Sequence, residues 1–372
     1  MRRSISLIIL ALLSIASQLG AQDWGVSYFP YVTSRSSEFP VFAFRFLYSK
    51  PSAWDKPYVA AGDLRTDVGV GVRGGWLAGV RYRAPGLWDG WRIRAELSAE
   101  KSPRQHYFGL GNATEVDDQI VASEEFFYRV KRTRYRANVE VTRRLARNLH
   151  VSVSPGLSFV RYSPHSGASA FVNDFGSELE DTDATLRTSL IYDTRDTDYN
   201  THRGVLLEVG GAAGTGGDGY TRLFTNLRGW LSIREGTVLA GRFVAAGMGG
   251  TPPLDARFNL EMWERQVRAY GGDQSNRGTS DGRFLGTDAL FVNTEVRHDL
   301  LNLGDYGALT LLAYFDAGRV FETESFRFTT DGFHVGVGGG IGLRVLRSNI
   351  LTFNFGDGPE GFEFEFGTGW MF

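Results

Sequence analysis

The chain has 372 residues, 42% of them hydrophobic and 22% charged, with a formal net charge of -2. That balance excludes the strongly basic footprint of a nucleic-acid binder, and the absence of cysteine excludes a disulfide framework and any thiol or cysteine–zinc site. Gly is abundant, at 47 residues, and aromatics reach 13%, a composition that suits an all-β envelope protein better than a helical enzyme.

The first residues, MRRSISLIILALLSIASQLGAQ, carry Arg2 and Arg3, then an apolar run from Ile5 to Ala16, then Ala21 before Gln22. This is the pattern of a secretory signal peptide over residues 1–21, although Leu19 is larger than usual three residues before a cut. The apolar run is too short to span a membrane permanently, and no later run reaches the roughly 18 residues a helical span needs. The exported remainder, residues 22–372, is therefore either soluble or a barrel whose lipid-facing side is hidden in alternation. No linker-like block divides it.

Segments with period-two alternation are expected to begin near Trp24, Phe39, Tyr58, Gly75, Gly90, Phe126, Leu149, Ala184, Gly204, Tyr220, Thr237, Thr287, Gly307, Phe333, Asn349 and Gly361. Tyr135, Val139 and Val141 oppose Arg134, Arg136, Asn138 and Glu140. Further on, Leu309, Leu311, Ala313 and Phe315 oppose Thr310, Leu312, Tyr314 and Asp316, and Val335, Val337, Ile341, Leu343 and Val345 oppose His334, Gly336, Gly338, Gly340 and Arg344. At the C-terminus, Phe362, Phe364, Phe366, Trp370 and Phe372 take one parity, and Gly361, Glu363, Glu365, Gly367 and Gly369 the other. A soluble sandwich also alternates. A face carrying this much charge, however, is costly in a dry core and tolerable in a wet lumen.

The expected fold is thus all-β: a transmembrane antiparallel barrel of about 16 strands, an even number as closed bacterial barrels require. Connections alternate between short ones, such as 146–148, 234–236 and 346–349, and long ones, such as 102–122, 163–182 and 249–286. Placing Phe372 on the periplasmic side puts the long connections outside, as in outer-membrane barrels.

Several segments resemble a known family: YFGLGN (107–112), YDTRDTDYNTHRG (192–204), NRGTSDGRFLG (276–286), NTEVR (293–297), FDAGRVF (315–321) and the terminal Phe372. In this order, across essentially the whole mature chain, they are similar to the bacterial surface antigen barrels of the BamA/TamA-type superfamily. The resemblance implies a bacterial outer-membrane location and a role in inserting or translocating protein or lipid. It also implies that the long loop before the last five strands folds into the lumen, where an Arg-Gly tip meets an inner acid. The matching residues are Arg277 and Gly278, with Glu295 and Asp316 on the inward parity of adjacent strands. Thr279 stands where the family carries an aromatic, and Asn276 replaces a common apolar residue. A planar guanidinium can take a carboxylate with two parallel hydrogen bonds, which lysine cannot reproduce; Gly278 admits a tight turn or close approach.

A second expectation concerns the lateral seam between first and last strands, marked by Trp24, Pro30, Phe366, Gly367, Gly369 and Phe372. Pro30 lacks an amide donor, and glycine weakens a strand interior. A poorly paired edge can template an incoming strand; a bulge or curvature device near closure is the competing reading.

The remaining candidate chemistry is thin. Asp196, Asp198 and Asn200 alternate like a calcium loop, but Thr201 and Leu207 occupy the positions that need Gly and Glu. The six histidines form no metal-spaced pair, and His106, His165 and His298 lie near no nucleophile signature. No metal, cofactor or enzymatic activity is expected. Arg132, Arg134 and Arg136, with Arg143 and Arg144, are expected to form a solvated lumen wall compensated by Glu140 and similar residues, with binding of lipid phosphate or a polyanionic solute as the competing reading. Fewer residues precede Trp24 than the periplasmic POTRA domains of relatives require. A member lacking them is expected, served by a separate periplasmic delivery protein or a second barrel, a homo-oligomer included. Outer-membrane lipid is the remaining expected partner. A gated or passive pore and a structural surface barrel are the alternative functions.

Overall fold

The computed structural model describes residues 23–372 apart from residues 36, 37, 264, 269 and 323. The expected signal segment, 1–21, lies outside the described residues. Strands β1 (Gly25–Arg35), β2 (Glu38–Pro51), β3 (Ala60–Gly71), β4 (Trp76–Trp88), β5 (Trp91–His106) and β6 (Arg129–Ala146) run in order as antiparallel neighbours. They are followed by β7 (Leu149–Pro164), β8 (Leu179–Asp193), β9 (Gly204–Gly214), β10 (Gly219–Arg234) and β11 (Thr237–Thr251). A short hairpin, β12 (Asn259–Met262) with β13 (Arg265–Arg268), stands apart from this sheet. The sheet resumes with β14 (Asp288–Asn302), paired directly to β11, and ends with β15 (Gly307–Phe321), β16 (His334–Val345), β17 (Asn349–Gly358) and β18 (Gly361–Thr368). Among the described residues the main sheet has 16 strands.

Exposure along the strands is the inverse of a soluble protein's. In β6, Tyr135 is 47% exposed and Val139 42%, whereas Arg132 and Glu140 on the opposite face are 3% and 4% exposed. The same inversion holds in β15, where Leu311 and Phe315 face out and Thr310 and Asp316 are buried. Apolar side chains lining the outer face of such a sheet require hydrocarbon there, and charges on its inner face require partners or water. The two edges of the sheet also come round toward each other. The turn between β16 and β17 reaches the connection between β2 and β3 through Arg347, whose guanidinium donates to the carbonyls of Ser52 and Lys56 at 3.3 and 3.1 Å.

The lumen is filled largely by the connection between β11 and β14, which carries a helical turn, α3 (Leu254–Phe258), as well as the β12–β13 hairpin. Two other helices, α1 (Asp118–Ser123) and α2 (Ala170–Phe175), lie in the long connections after β5 and β7. Phe171 of α2 packs with Tyr107, Tyr162 and Phe258 in a cluster at that end of the barrel. Burial, with Asp174 beside it, pushes the Tyr107 phenol up, so the hydroxyl stays protonated and donates to Asp174 Oδ2 at 2.6 Å.

The structure corrects the expected orientation of the C-terminus. Phe362, Phe364 and Phe366 face out as alternation requires, but Trp370 and Phe372 are buried. The strand stops at Thr368, and Gly369 takes φ +85, a conformation open to glycine at little cost. Beyond it the tail enters the lumen. Trp370 packs on Leu312 and Ile350, and Phe372 on Ile191, Leu206, Trp230 and Trp263. Parity counts only while the backbone remains extended.

Leu157, in the middle of β7 and 53% exposed, tests the lipid-facing assignment. A Leu157→Arg variant is expected to lose about 2–4 kcal/mol of stability in bilayers, measured by equilibrium unfolding from lipid vesicles. An unchanged midpoint would contradict a hydrocarbon-facing position.

Candidate functional site

Glu295 on β14 and Asp316 on β15 project inward at neighbouring levels, because Asn293 pairs with Asp316 and Glu295 with Tyr314 in the ladder. The loop tip lies across them. Arg277 Nε donates to Asp316 Oδ2 at 2.9 Å, one terminal nitrogen to Asp316 Oδ1 at 3.0 Å, and the other to Glu295 Oε2 at 2.7 Å. The Arg277 amide adds a fourth hydrogen bond, to Asp316 Oδ2 at 3.0 Å. The ring of Tyr314 lies 3.7 Å beneath the guanidinium carbon, which adds cation–π attraction. Arg277, Glu295 and Asp316 are all essentially solvent-free, at 1%, 1% and 0% exposure.

Two further arginines complete the cluster. Arg297 Nε donates to Glu295 Oε1 at 2.6 Å, so that the two guanidiniums share one carboxylate between them. Arg242 on β11 donates to Asn293 Oδ1 at 2.9 and 2.7 Å, and Asn293 passes a hydrogen bond on to Asp316 Oδ1 at 2.8 Å. Arg297 also reaches the carbonyl of Phe372 at 3.1 Å and stacks over Trp370 at 4.6 Å. The tail and the loop tip therefore hang on the same charged network.

Gly278 has φ +135, and a Cβ there would sit 2.9 Å from the carbonyl oxygen of Asp357. Opposite the tip, a Cβ on Gly336 or Gly356 would come within 2.7 or 2.5 Å of the Arg277 carbonyl. The tip is seated against backbone on β16 and β17, where only glycines leave room. Thr279, in the place of an aromatic, closes the turn on itself: its hydroxyl donates to the Asn276 carbonyl at 3.1 Å. Asn276 in turn donates to the Tyr270 hydroxyl at 3.0 Å and the His334 carbonyl at 3.3 Å.

The outer end of the loop is tied to the β5–β6 connection. Arg283 donates to the Thr114 hydroxyl and carbonyl at 2.6 and 2.7 Å, and Gly111 N to Leu285 O at 2.7 Å. Asn112 bonds Gly332 O at 2.8 Å and receives Val320 N at 3.0 Å. The inner end is held by Trp263, whose amide donates to the Glu208 carboxylate at 2.9 Å and whose indole donates to Thr142 at 3.0 Å. Sequence reasoning missed Asn112, Trp263, Arg242 and Arg283. The available signals were the YFGLGN segment, which holds Asn112 and in which Gly109 and Gly111 take φ +98 and +100, and the NRGTSDGRFLG segment, which holds Arg283.

The arginine wall of β6 is compensated differently from expectation. Arg134 pairs with Asp255 at 3.3 Å and Arg136 with Glu261 at 2.7 Å, both acids of the lumen loop, and Arg132 pairs with Glu100. Glu140 instead pairs with Arg187. Arg143 lies 4.9 Å over Trp91, and Arg144 pairs with Asp89 at 2.7 Å. The calcium-like residues serve the chain itself. Asp196 accepts from Thr197 N at 2.9 Å, Asp198 pairs with Arg92, and Asn200 Oδ1 accepts from the Trp370 indole at 2.7 Å.

The seam residues do not all converge. Among the described residues no ladder joins β1 to β18, and the two remain the edges of the sheet. Trp24 stacks on Tyr48 of β2 at 4.8 Å, and Phe366 packs on Phe353 of β17 at 5.1 Å, so each leans on its own flank. Pro30 stands exposed in β1 opposite Phe44, Gly367 lies in β18, and Gly369 turns the chain inward. Phe372 belongs to the lumen, and its assignment to the seam is corrected accordingly.

These features define a bacterial outer-membrane β-barrel with an internal loop. Residues 61–371 match the Omp85 superfamily domain, and the chain belongs to the Omp85 superfamily. Among solved structures it is similar to BamA from Haemophilus ducreyi, in a form lacking POTRA domains 1–3, with a TM-score of 0.61 and 11% identity over 94% of this chain and 70% of that one. It is also similar to CdiB from Escherichia coli, with a TM-score of 0.59 and 11% identity over 94% of this chain and 63% of that one. CdiB from Acinetobacter baumannii gives a TM-score of 0.50 and 12% identity over 93% of this chain and 65% of that one. The chain thus spans less than two thirds of either CdiB. A search of curated protein sequences returns no match.

Removing one partner of a buried ion pair typically costs about 3–5 kcal/mol, because the other charge is left uncompensated. Arg277→Ala is therefore expected to free the loop, with rapid protease cleavage within residues 270–284 of the folded barrel in detergent. Arg277→Lys is expected to be cleaved at an intermediate rate, since an ammonium cannot bridge both acids in the plane of the guanidinium. Wild-type resistance in the Ala variant would show that the cluster does not hold the loop.

Proposed function

We propose that the chain is an assembly or translocation barrel in which the seam between β1 and β18 receives the passing client, and in which the Arg277 cluster locks the lumen loop in place. The observation that carries this reading is that, among the described residues, no ladder joins β1 to β18 at the two ends of the 16-stranded sheet. An edge strand can take up an incoming strand by β-augmentation. The packing of Trp24 and Phe366 on their own flanks supports it, since parting the edges breaks neither contact. Membership of the Omp85 superfamily supports the class of function.

A lumen occupied by the loop and the C-terminal tail argues against a wide passive pore. The client is protein or lipid of the envelope, and its delivery falls to a periplasmic protein or a second barrel, for which a further copy of this chain is one source.

Photo-crosslinkers at Trp24 and Phe366, activated in living envelopes, are expected to capture other outer-membrane chains, and depletion of the protein is expected to lower the abundance of those chains. Crosslinks confined to lipid, together with an unchanged envelope proteome, would overturn the assembly reading. A steady conductance in planar bilayers would then favour the pore.

A further inference from the structure

Most turns on the side of the barrel where the chain ends are short, but two are longer: residues 52–59 between β2 and β3, and residues 194–203 between β8 and β9. The second falls in the YDTRDTDYNTHRG segment, for which the lumen cluster has no use. These two connections meet, with Asp198 N donating to Pro57 O at 2.8 Å. The same residue 194–203 connection reaches the other flank of the seam. Asn200 accepts from Trp370 in the tail after β18 at 2.7 Å, and the Tyr199 hydroxyl accepts from Arg347 Nε at 3.2 Å.

Arg347, in the β16–β17 turn, is the centre of this arrangement. Its terminal nitrogens donate to Ser52 O and Ala53 O, both at 3.3 Å, to Trp54 O at 3.4 Å and to Lys56 O at 3.1 Å. The guanidinium carbon lies 5.0 Å from the Trp54 ring and 5.4 Å from the Tyr199 ring. The residue before it, Leu346, has φ 56 and is the only non-glycine with positive φ among the described residues. Left-handed backbone is unfavourable for leucine, and here it places the arginine where the carbonyls converge. The 52–59 connection follows β2, one strand from the β1 edge; the 346–348 turn precedes β17, one strand from the β18 edge. No ladder joins those edges among the described residues.

We infer that Arg347 pins the periplasmic end of the seam, with the 52–59 and 194–203 connections forming a strap that must be released before the edges part. Arg347 is a positioning residue: it touches no client and acts by holding the two flanks in register. Five planar donors suit several carbonyls and a hydroxyl at once, whereas a lysine ammonium offers three donors around a point. The inference rests on the seam reading above and adds the element that governs it.

The test uses the absence of native cysteine. In the full mature chain, Val26→Cys in β1 and Thr368→Cys in β18 carry spin labels, and pulsed EPR in detergent reads the distance between them. The wild-type background is expected to give one narrow distribution. Arg347→Ala and Arg347→Lys are both expected to broaden it and lengthen it by about one strand spacing, roughly 5 Å. Superimposable distributions in Arg347→Ala, or a wild-type distribution already as broad, would overturn the inference. If Arg347→Ala does not fold, Arg347→Lys carries the test, since an ammonium cannot reach the converging carbonyls and the Tyr199 hydroxyl together; a wild-type distribution there overturns it equally. The distance is read without any client. A failed strap therefore leaves the envelope proteome result standing, and a failed assembly reading leaves the distance standing.

Discussion

The architecture depends on a small group of charges that water cannot reach. Arg277 and Arg297 face Glu295 and Asp316 inside the barrel, and each carboxylate is satisfied by at least one guanidinium. Stripped of the loop, Asp316 would keep Asn293 as a hydrogen-bond partner but lose its cation. A lone buried carboxylate is costly enough that the barrel without its loop tip is a different and less stable object. The cluster also answers how irregular backbone survives at membrane depth. Such backbone is tolerated only where its polar groups find partners within the protein, and the Arg277 amide, the Ser275 carbonyl and the Gly272–Asn276 bridge all do so. The Arg242–Asn293 relay and the Arg297 contact with the tail spread the same network over β11, β14, β15 and the C-terminus.

Much of the barrel was legible because period-two alternation is a local rule that every strand must obey in order to face lipid and lumen at once. The expected starts at Leu149, Gly204, Thr237, Gly307, Asn349 and Gly361 coincide with observed strand starts. The Ala184 start lies furthest from its strand, which begins at Leu179, because Glu180 to Asp183 carry three acids and no strong alternation. The inward parity of Glu295 and Asp316 was readable for the same reason. The geometry of Arg277 was not: which acid it meets, and that it meets both, depends on the path of a long loop with no period of its own. The compensation of Arg134 and Arg136 by Asp255 and Glu261 was hidden for that reason too.

The C-terminal tail shows where the rule stops. Trp370 and Phe372 share the parity of three outward phenylalanines, yet one glycine with positive φ turns them into the lumen. Alternation then has no meaning, and cation–π contacts with Arg297 and Arg242 take over the placement. The connections at the two ends of the barrel are tied together by different devices. Backbone and amide contacts around Asn112 and Arg283 tie the outer loops to one another, and convergent carbonyls on Arg347 draw the inner turns together. Among the described residues no ladder joins β1 to β18, in contrast to every other neighbouring pair of the sheet.

The measurement closest to the central claim is amide hydrogen exchange of the folded protein in detergent, resolved over residues 270–284. If the buried charges anchor the tip, the Arg277 amide, donated to Asp316, exchanges as slowly as the amides of β14 and β15. Exchange at the rate of an exposed surface loop would mean that the tip is not seated, and the account of the lumen built on it would be wrong.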